Sequence, residues 1–472
     1  MPIQRSLQAA CLLFAFAFAA AAFAQQLPVT VSDALQRAEI PVEAAGIYVQ
    51  EVGNQSPMLA VNPLQPFNPA STMKLVTSNA ALEILGPTFT WKTRAFALGK
   101  LRGDVLYGDL YIKGGGDPKL ILENFWLFLR RIRSKGIREI RGNLILDRSV
   151  FENAPYDPAQ FDGDPLKTYN VGPDALLLNY KALGFRFTPD AAGRSVQVAS
   201  DPPMAAFPVM PPRLTAGECI DWRARTQPAI DAYGARFAGS YPAACGERTW
   251  YVHPYQMSHT QYFGLVFRRL WAETGGTLKG EVRDGVVPDN AAPVAEWDSA
   301  PLAEIIRDIN KYSNNVMARQ LLLTLAAAVT KIPANTVHGA AVVRTWMSGK
   351  GIDAPEMSIE NGSGLSRTER ISAVSLGRML AAAYAAPTMP EFIASLPLVA
   401  YDGTMRSRLV NQTVAGKAHI KTGTLNEVRN VAGYVLAASG KRYVVVCLVN
   451  HTNADRAYEA QDALLQWVYE NG

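Results

Sequence analysis

The stretch from Asn68 to Leu82, NPASTMKLVTSNAAL, sets Ser71 three residues ahead of Lys74 where a helix begins. Pro69 suits a first turn, Ser71 is a helix-capping type, and Met73, Val76, Ala80 and Ile84 recur at helical spacing until Gly86-Pro87 stops the run. Residues three apart share a helix face, so this hydroxyl and this amine can meet. Two readings are open: Ser71 caps the helix beside a solvated Lys74, or Ser71 is a nucleophile with Lys74 as its base. The second needs special surroundings. A serine hydroxyl attacks only when a base takes its proton, and a lysine serves as that base only when desolvation and a neighbouring cation lower its pKa.

Two later stretches carry the groups this chemistry lacks. YSNN, from Tyr312 to Asn315, supplies Ser313 and Asn315, and HIKTGTL, from His419 to Leu425, supplies Lys421, Thr422, Gly423 and Thr424. Lys421 is the second cation. Ser313 can relay a proton to a leaving amine, and the Asn315 amide can bond the peptide groups of a substrate. Gly423 leaves space for an extended substrate along a sheet edge, and the Thr422 and Thr424 hydroxyls can hold a terminal carboxylate. The backbone N–H groups of Ser71 and Thr424 would form an oxyanion hole. Singly, each residue has a plain structural explanation as a polar turn, an edge lysine or a strand-forming threonine. Jointly, S-x-x-K, S-x-N and K-T-G in this order are the signatures of serine acyl-transfer enzymes that recognise penicillin.

The rest of the chain narrows the classes. At 472 residues and 49% hydrophobic, it can bury a large core in two or three domains. Residues 1–24 hold one charge, Arg5, then an apolar run from Ala9 to Phe23 ending in Ala22-Phe23-Ala24, a small-x-small cleavage pattern. The expectation is a signal peptide cut before Gln25 and a periplasmic protein without a stable membrane anchor. Removing Arg5 and no acid takes the net charge from +5 to +4, too mild for nucleic acid. No metal or cofactor is expected: the five histidines are scattered, H-E-x-x-H is absent, and GGGDPKL lacks the ending of a phosphate loop. Cys447, inside YVVVCLVN, reads as a buried inert thiol. Cys219 and Cys245, in a Pro- and Gly-rich region, read as a disulfide formed after export.

The elements that must position these residues come from both ends. GIYVQEV and PMLAVNP read as a hairpin near the start. AGKAHIKTG, NVAGYVLAA and KRYVVVCLVN read as strands near the end, followed by a helix from Asp455 to Tyr469. One antiparallel sheet closed by the two termini and flanked by helices is expected, with helical periodicity over 301–327 and 372–385. The middle alternates like strands with Pro/Gly punctuation. The division expected is 25–92 with 253–472 as a catalytic α+β domain, interrupted by a mostly β region over 93–252.

With these motifs, the sequence resembles the penicillin-binding proteins, and within them the D-alanyl-D-alanine carboxypeptidase/endopeptidases of low-molecular-mass class C. The specific signs are PASTMKL, the long gap from Lys74 to Ser313, YIKGGGDPKL, NGSGLSR and YDGTMRSR. The resemblance covers essentially the whole mature chain. It implies a transpeptidase-like domain interrupted by two inserted domains, one nested in the other. It also implies an acyl-enzyme at Ser71, peptidoglycan peptides as substrates and β-lactams as covalent inhibitors. Asn361 stands where that family more often has aspartate. Asp147, in GNLILDRSVF, matches an inserted-domain carboxylate that in relatives faces the amino group of the peptide side chain. A β-lactamase is the enzymatic alternative, but its deacylating Glu and Asn belong before K-T-G, whereas Glu427 and Asn430 follow it. A catalytically silent cell-wall scaffold predicts a damaged motif, and none is damaged.

Overall fold

The computed structural model describes residues 27–190 and 193–472, so the expected leader and its cleavage point lie outside the described residues. A five-stranded sheet runs in the order Leu59–Val61, Ala45–Glu51, Arg442–Asn450, Val428–Leu436, Ala418–Leu425, antiparallel throughout. The early strand is interior, paired with the last from Ala45↔Val449 to Glu51↔Tyr443. Side chains alternate between the two faces. Ile47, Val49, Val445 and Cys447 join a core with the helices Val29–Arg37 and Tyr458–Asn471. Tyr48, Tyr434, Val444, Val446 and Leu448 join the opposite core, with Met73–Leu85, Leu302–Lys311, Asn315–Thr330 and Ala373–Ala385. Cover on both faces is why Arg442–Asn450 is an almost unbroken apolar run. Cys447 is free and buried, and burial pushes its thiol up to about 12.

The helical periodicity over 301–327 resolves into two helices, Leu302–Lys311 and Asn315–Thr330. Between them Ser313 takes a left-handed φ of 57°. Asn314 caps the second helix by accepting from the Met317 amide at 3.0 Å. This break presents Ser313 and Asn315 on either side of the cap.

The intervening region builds its own sheet. Lys92–Arg102 and Val105–Lys113 form a hairpin, Leu144–Asp147 adds in parallel to the second of them, Val282–Asp284 adds in parallel to that, and Ala295–Asp298 returns antiparallel to the first. Two helices, Leu122–Ser134 and His259–Glu273, cover it, with the Phe125 and Phe263 rings 5.0 Å apart edge to face. Within this unit sits a smaller one, where Leu183–Pro189 pairs with Val196–Asp201 and Arg248–Val252. The Cys219–Cys245 disulfide lies in that smaller part. The packing changes at 298 and not at 252. Residue 252 ends the inner unit, and the helix after it turns Phe263, Phe267 and Trp271 into the inserted core.

Candidate active site

Ser71 lies in a single 3-10 turn, Ala70–Thr72, directly before the helix Met73–Leu85, and its side chain caps nothing. That turn is held from several sides. Asn68 accepts from the Ala70 amide at 2.9 Å and donates to the Ser366 carbonyl at 2.9 Å, while Asn430 donates to the Asn68 carbonyl at 2.9 Å. Two glycines press on the same backbone. A Cβ on Gly423 would stand 2.8 Å from the Pro69 oxygen and 3.2 Å from the Ser71 nitrogen, and one on Gly364 would stand 1.7 Å from the Ala70 oxygen. Gly423 therefore admits the nucleophile's own turn.

Lys74 is completely buried. Its Nζ lies 2.9 Å from Ser71 Oγ and 2.5 Å from Asn315 Oδ1, and it also bonds the Ser363 carbonyl. Burial, then the nearby Lys421 cation, hold its pKa well below the usual lysine value, against an opposing pull from Glu369. A neutral amine at this place can take the serine proton. Lys421 Nζ lies 2.9 Å from Ser313 Oγ and 2.7 Å from the Thr422 carbonyl, and burial lowers its pKa to about 7. Six residues from three distant segments, Ser71, Lys74, Ser313, Asn315, Lys421 and Gly423, thus converge on one cleft.

The cleft is bordered by an open sheet edge. Ala418–Leu425 is the last strand of its sheet, and the loop beyond covers only its start, where the Ile420 amide donates to Pro397. By alternation the Thr422 and Thr424 amides face the same, uncovered side. Thr422 Oγ1 meets Thr404 Oγ1 at 2.8 Å, and Thr424 Oγ1 accepts from Arg429 Nη1 at 3.0 Å. Beside the cleft, a cavity of about 380 Å³ lies between the 152–173 segment and the 360–368 loop. Tyr156, Phe161, Arg319, Leu365 and Arg367 are among its walls.

Asp147 does not join this group. Its side chain is fully buried, with Oδ1 accepting from the Ser149 amide at 3.0 Å and hydroxyl at 2.6 Å. Oδ2 accepts from the Val287 amide at 2.9 Å and meets Lys113 Nζ at 3.2 Å. Its charge is already matched inside the inserted sheet, which corrects the expectation that it faces the cleft. Burial alone would raise its pKa, but those hydrogen bonds and Lys113 outweigh it and hold the carboxyl below the usual range. Among the described residues no cluster of side chains could hold a metal ion.

Glu369 is the group that sequence reasoning missed most completely. It is fully buried, and its Oε1 accepts from the amides of Glu360, Asn361 and Gly362 at 3.0, 2.9 and 2.9 Å. It thereby shapes the loop whose Ser363 carbonyl holds Lys74. As an anion it favours protonated Lys74, so Glu369→Gln, which keeps an acceptor oxygen and drops the charge, should move the acidic limb of acylation to lower pH. The check is the rate of β-lactam acylation against pH. An unmoved limb would mean that Glu369 is already protonated.

The D-Ala-D-Ala carboxypeptidase 3 (S13) family matches residues 27–471. A D-alanyl-D-alanine carboxypeptidase of Actinomadura sp. is 30% identical over 424 residues, covering 84% of this chain and 76% of its own. The D-alanyl-D-alanine carboxypeptidase DacB of Haemophilus influenzae is 24% identical over 388 residues, 81% of this chain and 80% of its own. Among solved structures, penicillin binding protein 4 from Haemophilus influenzae is similar with a TM-score of 0.79 at 22% identity, over 94% of this chain and 100% of that one. The same protein complexed with a β-lactam gives 0.75 at 21% identity, over the same shares.

Proposed function

The chain belongs to the D-Ala-D-Ala carboxypeptidase 3 (S13) family of serine-type hydrolases, and from that premise we propose how its own residues run the reaction. The observation that carries the proposal is the 2.9 Å contact between Ser71 Oγ and a fully buried Lys74, with a second buried lysine on Ser313. Lys74 takes the Ser71 proton as Oγ attacks the carbonyl between two D-alanines. The amides of Ser71 and Thr424 stabilise the oxyanion. The C–N bond then breaks, and Ser313, bonded to Lys421, delivers its proton to the leaving amine and is reprotonated with the proton held on Lys74, which leaves Lys74 neutral again. The resulting ester at Ser71 is hydrolysed by water, with Lys74 again accepting a proton. Asn315 holds Lys74 and the substrate amide, and Thr422 and Thr424 receive the terminal carboxylate. A β-lactam enters by the same attack, but its leaving nitrogen stays tethered and the ester persists.

The substrates are stem peptides of peptidoglycan or their cross-links, and the cavity walled by Tyr156, Phe161, Leu365 and Arg367 gives room for the peptide beside the acylated residue. We place the catalytic domain at 27–91 with 299–471 and the inserted domains between them. The leader cleaved before Gln25 directs the enzyme to the periplasm. The disulfide supports this compartment, and among the described residues no helix is long and apolar enough to cross a membrane. The β-lactamase alternative is weakened by Glu427, which is exposed in the hairpin turn after K-T-G with a φ of 63°. Mass spectrometry of muropeptides after incubation with the mature protein tests the reading. Loss of terminal alanine and opening of cross-links appear separately, and neither appearing would refute it.

Asp147 has a structural part in this scheme. Asp147→Asn should lower stability by about 1–3 kcal/mol at neutral pH, by leaving Lys113 and the Val287 amide without their anion. Its folded pKa is depressed, so the contribution is present above the ordinary aspartate range and is lost as pH falls through the folded value. Denaturant unfolding of both forms at neutral and acid pH checks this: the gap should close in acid.

A further inference from the structure

We propose that Lys119, which comes from the inserted region, is a positioning residue for proton delivery: its ion pair with Asp308 braces the helix break that presents Ser313. The inference rests on the serine-peptidase reading above and ties the insertion to one step of it.

The loop 114–120, GGGDPKL, leaves the inserted sheet after Lys113 and runs onto the catalytic helices. Asp117 is buried, and its Oδ1 accepts from the Lys119 amide at 2.8 Å, which fixes the turn. From that turn the loop reaches both helices that flank Ser313. Lys119 Nζ pairs with Asp308 Oδ2 on Leu302–Lys311, and the Gly116 carbonyl accepts from Gln320 Nε2 at 3.3 Å on Asn315–Thr330. Gln320 also holds Asp174 of the insertion, donating to its carbonyl at 2.8 Å and accepting from its amide at 2.9 Å. The insertion therefore spans the break from which Ser313 projects.

The break needs holding. Ser313 has a left-handed φ of 57°, a conformation that an L residue keeps only where its surroundings over-determine it. Within the catalytic domain, Asn310 donates to Ser395 Oγ at 2.9 Å and Lys311 to the Leu396 carbonyl at 2.9 Å, with Asp402 as its counter-ion. Lys119 ties the same turn to a different body, the insertion. With side chains only 31% and 20% exposed, its pair with Asp308 is screened less than a surface one.

The step that depends on this brace is specific. Ser313 Oγ lies 2.9 Å from Lys421 Nζ and gives its proton to the nitrogen as the C–N bond breaks. An amine leaving as an anion is too basic, so an amide is not cleaved without that proton, whereas a thiolester expels a stable thiolate that needs none. A displaced Ser313 therefore penalises amides and spares thiolesters.

The test compares two substrates with the same D-alanyl acyl group, one with the scissile peptide nitrogen and one with sulfur in its place. The quantity read is kcat/KM, which reports acylation. Lys119→Met should lower it about 10-fold for the peptide, equal to ~1.4 kcal/mol, and change it less than about 2-fold for the thiolester. Lys119→Arg should restore most of the loss by keeping the ion pair. Asp308→Asn should reproduce Lys119→Met, and the two together should cost no more than either alone, because they remove one interaction. Thiolester turnover also shows that the variants are folded. Equal losses on both substrates in both single variants, or no loss on the peptide, would overturn the role of Lys119 alone. A wild type that cleaves neither substrate and takes up no β-lactam would overturn the peptidase reading and this inference with it.

Discussion

Ser71→Ala should remove covalent labelling by a fluorescent penicillin and cut peptide turnover by about 10⁶-fold, while thermal unfolding stays nearly unchanged. The size follows from concerted action: when nucleophile and base act as a unit, losing either forfeits almost the whole of what the unit supplies. The unchanged unfolding follows from geometry. Ser71 Oγ caps no helix, and its hydrogen bond is to Lys74, which keeps Asn315 and the Ser363 carbonyl as partners after the hydroxyl is gone. Labelling that persists in the variant would place the nucleophile elsewhere.

Gly364→Ala should be nearly as damaging although Gly364 performs no chemistry. Its φ is 79°, a region L side chains rarely adopt, and its Cβ would stand 1.7 Å from the Ala70 carbonyl and 2.8 Å from the Ser71 nitrogen. The Ser71 turn must yield. Displacing a reacting atom by about 1 Å costs on the order of 10²-fold, so acylation by benzylpenicillin should slow by at least that, with far-UV circular dichroism preserved. Gly349→Ala is the control, because a Cβ there meets nothing within 4 Å. Equal acylation rates for Gly364→Ala and wild type would show that the turn tolerates the push.

Much of this was legible because the signals were local or periodic. The sheet closed by both termini could be read from strands such as KRYVVVCLVN, whose apolar runs match burial on both faces, and the three motifs could be read as motifs. What escaped was mutual position. The helix His259–Glu273 has an apolar face that suits either core, so only packing puts it with the inserted sheet, and the expected boundary at 252 fell short of 298. Asp147 sits at a strand end, as its resemblance required, but a sequence does not tell that Lys113 on the neighbouring strand already answers its charge. Glu369 looks like an ordinary surface charge in text. Its place comes from three amides that converge on one oxygen.

The pairing of Ala45–Glu51 with Arg442–Asn450 also governs the order in which the molecule can be made. An interior strand from one end waits for a strand from the other, so the central sheet cannot close until nearly the whole polypeptide has been delivered. The inserted units have their own strands, core and disulfide, and are free to consolidate first. Closing so long a loop carries an entropic cost that local hairpins do not, and until it closes the strand carrying K-T-G has no finished sheet to join. A hydrolase built this way lacks a complete site while the chain is incomplete: loss of the last strand alone leaves every catalytic side chain present but the K-T-G strand without the sheet that aims it at Ser71.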